Sequence, residues 1–106
     1  MQFLVTGKLI DPPAAPPHQE IAALKATFEL LSKWSSGANP KVKAVLPHAD
    51  ERATTLLVDV RNAEDLVELQ TQLPGFRLST WSAHPVTDPQ TVLKALVAME
   101  RNLAGG

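Results

Sequence analysis

The order in which two hydrophobic periodicities alternate along this chain limits its fold more than any single residue does. Met1 to Ile10, Lys41 to Leu46, Ala53 to Val60 and Phe76 to Ala83 are short runs rich in β-branched and large apolar residues, the pattern of strands. From His18 to about Ser35, Ile21, Leu24, Phe28 and Leu31 recur at helical spacing, the stripe of an amphipathic helix. The segment Asp11 to Pro17 (DPPAAPP) separates strand from helix, because its prolines supply no ladder donors, and Gly37 and Pro40 end the helix. A second helix is expected to start at the capping residue Asn62, to turn Leu66, Leu69 and Leu73 inward, and to stop at Pro74 and Gly75. After the last strand, Asp88 is positioned to cap a third helix with the stripe Val92, Leu96, Met99 and Leu103.

The order βαββαβα admits few arrangements, since strand-helix-strand crossovers are right-handed and each helix needs a sheet to cover its stripe. Two interlocked βαβ units give an α+β domain of ferredoxin-like type, here with an extra C-terminal helix. The first and third strands are expected to lie parallel at the centre, with both long helices on one face. Phe3, Val5, Leu56, Val58 and Val60 form the more apolar parity and are assigned to the helix side, with Gly7 allowing a close approach. Leu4, Thr6, Lys8, Thr55, Leu57, Asp59, Ser79 and Trp81 are then expected on the open face. That face is half apolar and calls for a cover, which a second copy of the chain would supply.

Composition narrows the function classes. The 106 residues suit one domain spanning 1–106, since two cores would each be too small to bury enough apolar surface. A net charge of -1, with three Phe and two Trp, offers neither a basic field nor a stacking platform for nucleic acid. The absence of cysteine excludes thiol nucleophiles and thiolate metal sites. The opening MQFLVTGKLIDPP has too short an apolar run for a secretory core, and no stretch reaches the length of a spanning helix, so no membrane partner and a cytoplasmic location are expected.

No glycine pair has phosphate-cradling spacing, and no serine lies in a nucleophile elbow. His18, His48 and His84 lie in separate segments without metal-pair spacing, so no metal site is expected, and His18 and His48 read as surface or cap residues. His84 follows the expected end of the last strand beside Pro85, where a turn toward the cleft would let its imidazole carry a proton near neutral pH; otherwise it is a loop histidine held by a backbone hydrogen bond. Lys8, Asp59 and Arg77 are expected to meet at one end of the cleft, if residue 6 pairs with residue 79 and the third strand runs parallel to the first. Asp59 would then offset one cation while a ligand carboxylate meets the other, with Thr6 and Trp81 completing the ligand-binding face. The same three charges also fit a solvated salt-bridge network.

The opening MQFLV, the proline-bearing loop before the first helix, the Leu73-Pro74-Gly75-Phe76 element and His84-Pro85 together resemble the muconolactone delta-isomerases over Met1 to Pro85. The resemblance implies a ferredoxin-like protomer, a dimeric α+β barrel made by facing two sheets, a homodimer or higher homo-oligomer, and isomerisation of a small carboxylate-bearing lactone with no cofactor. The family's polar first-strand positions, a His and a Lys, fall on Leu4 and Thr6. Three readings stay open: a cofactor-independent isomerase binding a small carboxylate-bearing cyclic ligand, a non-catalytic ligand-binding or assembly module, and a dimeric-barrel monooxygenase-like protein.

Overall fold

The structure, a computed structural model, describes residues 1–105. Strand β1 (Gln2–Leu9) leads into helix α1 (Pro17–Lys33), which ends in a wide turn over Trp34–Ala38 with Gly37 at a φ of 101°, the left-handed conformation that favours glycine. The hairpin β2 (Val42–Pro47) and β3 (Ala53–Asp59) follows, then α2 (Ala63–Thr71), a tight turn over Phe76–Leu78, β4 (Ser79–Val86) and α3 (Pro89–Gly105). The four strands form one sheet in the order β2-β3-β1-β4, the ferredoxin-like α+β arrangement.

Every neighbouring pair is antiparallel, including β1 with β3, which corrects the expected parallel centre. The reason is topological. A β1-α1-β2 crossover makes β1 and β2 parallel, and β3 joins β2 through a hairpin, so β3 lying between them runs against both. Leu4 stands opposite Leu57, Thr6 opposite Thr55 and Lys8 opposite Ala53. On the other flank Thr6 faces Ser82 and Lys8 faces Thr80, three residues away from the expected register. The shift arises at the start of β4. Phe76 N donates to Leu73 O and Leu78 N to Gly75 O, so residues 76–78 are held in a turn and the strand begins only at Ser79. It then runs through Pro85, which is tolerated because β4 is an edge strand.

The core lies on the helix side, where Val5, Leu56 and Val58 are fully buried and Leu31, Trp34, Leu66, Leu69 and Leu73 pack over them. Asn62 caps α2 as expected, its Oδ1 accepting from Asp65 N at 2.9 Å. The buried stripe of α1 is rotated from expectation: Glu20, Thr27 and Leu31 are buried, whereas Ile21 is 67% and Phe28 42% exposed. Two polar residues occupy that stripe because each is satisfied. Arg52 donates to Glu20, and the Thr27 hydroxyl donates to Ala23 O at 2.8 Å while accepting from Gly75 N at 2.7 Å.

Trp81 lies on this helix side, opposite Gly7, which corrects its expected place on the open face and moves Ser79 with it. The indole stacks on Phe76 at 5.9 Å between ring centroids and its Nε1 donates to Phe76 O at 2.9 Å. A Cβ at Gly7 would stand 2.7 Å from the indole ring, so the bare glycine is what lets the ring lie flat on β1.

Helix α3 is capped by Asp88, whose Oδ1 accepts from Thr91 N at 2.8 Å, but none of its residues is buried and its expected stripe faces outward. The radius of gyration is 17.8 Å, against about 13 Å for a compact chain of this length, because α3 projects from the body. We expect Gly7→Ala to lower stability by about 1 to 3 kcal/mol in urea unfolding through overpacking, and Trp81→Leu to relieve most of that loss in the double variant. Additive losses would separate the two residues.

Candidate functional site

The open face carries the even-numbered residues of β1 and β4 and the odd-numbered residues of β3. Leu4, Leu57 and Leu46 give it an apolar patch, with Leu46 opposite Thr55 and 55% exposed. Beside the patch runs a continuous chain of polar contacts. Thr6 Oγ1 lies 3.0 Å from Thr55 Oγ1, which lies 2.7 Å from His48 Nε2. His48 Nδ1 is 2.9 Å from Glu51 Oε1, and the second carboxylate oxygen meets Lys8 Nζ at 3.3 Å.

This chain follows from the pairing. Residues 48–52 connect β2 to β3 and stand beside the end of β1, where Leu9 N donates to Arg52 O. His48 N donates to Ala53 O, which closes the connection and turns the imidazole toward Thr55. A carboxylate only accepts, so the proton on Nδ1 is directed at Glu51 and Nε2 is left to accept from the Thr55 hydroxyl. An imidazole oriented by a carboxylate, with its second nitrogen at a hydroxyl, is the arrangement of a general base. The His48 contact, then the Lys8 ammonium, hold the Glu51 carboxyl below its ordinary range.

Thr6, Lys8 and His84 share the open face, His84 standing within β4 opposite Leu4 rather than beyond the strand end. Lys8 and Asp59 also share that face, so the assigned parity of β1 and β3 holds, but the antiparallel pairing sets them at opposite ends, about 20 Å apart by strand rise. Asp59 instead meets the Met1 ammonium at 3.1 Å. Arg77 belongs to the turn before β4 and is exposed, so the expected Lys8-Asp59-Arg77 cluster does not assemble. His48, Glu51 and Thr55 were the functional candidates missed by sequence reasoning. Their signal was a His and a Glu three residues apart in a hairpin connection, beside a strand whose Thr55 shares parity with Thr6.

A half-enclosed cavity of about 220 Å³ occupies the other side of the sheet, between α1 and the ends of β1, β3 and β4. Leu24, Phe28, Leu31, Leu56 and Trp81 make its apolar walls, His48 and Glu51 of the polar chain line it where the β2–β3 connection passes, and the Arg52–Glu20 ion pair joins the hairpin to α1 beside it. Among the described residues, no group of three or more His, Asp or Glu side chains could hold a metal ion, and no helix is long and apolar enough to cross a membrane.

The sheet order and helix placement define a ferredoxin-like α+β fold. Among solved structures, the crystal structure of muconolactone isomerase is similar with a TM-score of 0.68 and 20% identity, over 84% of this chain and 92% of that one. No protein-family model and no curated protein matches the sequence. The likeness is therefore one of fold, and the sequence resemblance is upheld at that level.

Because the folded state lowers the Glu51 pKa, its contribution is present above the ordinary glutamate range and is lost as pH falls through the depressed value. Wild-type protein should lose stability over that acid window in pH-dependent urea unfolding, and Glu51→Gln should flatten the slope there. An unchanged slope would mean the contacts to Glu51 are not formed in solution.

Proposed function

We propose that the protein binds a small carboxylate-bearing cyclic compound against the open sheet face, in a cleft completed by a second copy, and shifts a proton on it without a cofactor. The observation that carries this reading is the Lys8-Glu51-His48-Thr55-Thr6 chain beside an apolar patch. Lys8 is 62% exposed and spends one contact on Glu51, leaving donors for a ligand carboxylate, while Thr6 offers its hydroxyl to the same group. A ligand that displaces the Thr55 hydroxyl meets the Nε2 lone pair of His48. The imidazole takes a proton from a carbon beside the ligand's carbonyl and returns it to another carbon, so nothing is consumed. His84, on the same face, is the alternative proton carrier. The fold it shares with muconolactone isomerase, an isomerase by name, agrees with this chemistry.

The second copy is argued from burial. Leu4, Leu46 and Leu57 are partly or largely exposed, and covering side chains of this size stabilises by about 1.5 to 3 kcal/mol each. The outward stripe of α3 adds Val92, Leu96 and Met99 to the uncovered apolar surface. Leu57→Asp should therefore leave the protomer folded and convert the assembly to monomer in light scattering.

The activity is tested by screening lactones and cyclic carboxylates for thermal stabilisation, then following exchange of deuterium from solvent into each bound compound by NMR. His48→Ala should slow exchange by about a hundredfold or more while binding persists, and Lys8→Ala should weaken binding. Loss in His84→Ala instead would assign the proton step to His84. Binding without exchange for every compound would leave a non-catalytic binding module.

A further inference from the structure

We infer that the helix-side cavity, whose lining reaches His48 and Glu51 of the polar chain, is a second binding site, for a neutral single-ring compound with a hydroxyl or carbonyl oxygen at each end. Size sets the first limit. At about 220 Å³ it exceeds the roughly 150 Å³ cavity known to hold benzene, and falls short of the roughly 300 Å³ at which drug-sized pockets begin. One ring fills it. The walls match a ring, since Trp81 lies flat over Gly7 on one side and Leu24 and Leu31 of α1 stand on the other.

Polarity sets the second limit. Three hydroxyls line the cavity, and they are not equivalent. Thr27 is already committed to Ala23 O and Gly75 N. The Thr54 and Ser79 hydroxyls take no part in the protein's own hydrogen bonds among the described residues, although both side chains are only half-buried on the helix side of the sheet. Thr54 stands opposite Gly7 on β3 and Ser79 opposite Leu9 on β4, so β1 separates them. Strand spacing and rise set them about 12 Å apart. A six-membered ring with oxygens at opposite ends, plus one hydrogen bond of about 2.8 Å at each, spans nearly that distance.

Charge sets the third. The cation at the cavity, Arg52, is paired with Glu20, which is 7% exposed. An anionic ligand that drew Arg52 away would leave a buried carboxylate without its partner, at large cost. The cavity therefore favours a neutral ligand, in contrast to the carboxylate expected on the open face.

Hydroquinone in deoxygenated buffer is the probe, with phenol and benzoate as controls, read by titration calorimetry and by the two Trp indole signals in NMR. Hydroquinone should bind and shift the Trp81 signal while leaving that of Trp34, which lies outside the cavity. It should bind about fivefold more tightly than phenol, the effect of one further hydrogen bond, and benzoate should not compete. Thr54→Val and Ser79→Ala, each conservative enough to keep the fold, should each remove that advantage; either alone suffices if the other fails to fold. Lys8→Ala, which alters a residue outside the cavity lining, should leave hydroquinone binding unchanged while weakening carboxylate binding on the open face, which separates this site from the proposed proton-shifting face. Absence of binding, equal affinity for phenol and hydroquinone, or insensitivity to both hydroxyl variants would overturn the proposal.

Discussion

Much of this molecule depends on the contact of the Trp81 ring with the bare backbone of Gly7. A strand that must seat an indole against a neighbour without a side chain has its register set by that fit, since a one-residue slip would present the ring to the opposite face. With Trp81 turned to the helices, the alternation of β4 sends Ser82 and His84 to the open side, beside Thr6 and Leu4. The same ring forms a wall of the cavity under α1, and its N–H bond to Phe76 ties β4 to the turn that precedes it. One steric fit thus organises both faces of the sheet.

The two faces differ in chemistry because the β2–β3 connection serves both. His48 and Glu51 extend the polar chain of the open side, while the adjacent Arg52 crosses to Glu20 on α1. An ion pair with one partner buried contributes little net stability when complete, yet losing Arg52 would strand the buried Glu20 carboxylate, so the pair restrains how the connection sits against the helix. The restraint helps hold His48 where Thr55 can reach it. A half-exposed imidazole anchored at both nitrogens has less rotational freedom than a surface histidine, which suits a group that must meet a ligand in one orientation.

Local signals in the sequence were read well where a single segment carries them. The element order, the Asn62 and Asp88 caps, the left-handed Gly37 and the parity of β1 and β3 all follow from residues within a few positions of one another. What failed was relational. The direction of β3 against β1 is a property of the whole connection, and the start of β4 was obscured because Phe76, Arg77 and Leu78 read as strand residues while their amides were taken by the preceding turn. Those two errors together produced the unformed Lys8-Asp59-Arg77 cluster and hid the His48-Glu51-Thr55 group, whose members meet only through the correct pairing. The rotated face of α1 has a different cause: Glu20 and Thr27 are buried through partners at 52 and 75, which no helical periodicity can reveal.

Helix α3 buries none of its residues against the body. A helix of seventeen residues standing alone in water is near the margin of stability, because nucleation is costly and propagation adds little per residue. Its helicity is then linked by mass action to whatever apolar surface it meets. If the second copy proposed above is what covers it, the ordering of the last sixth of the chain becomes a binding equilibrium rather than a fixed property of the fold, and protein concentration itself would govern how much of the chain is helical.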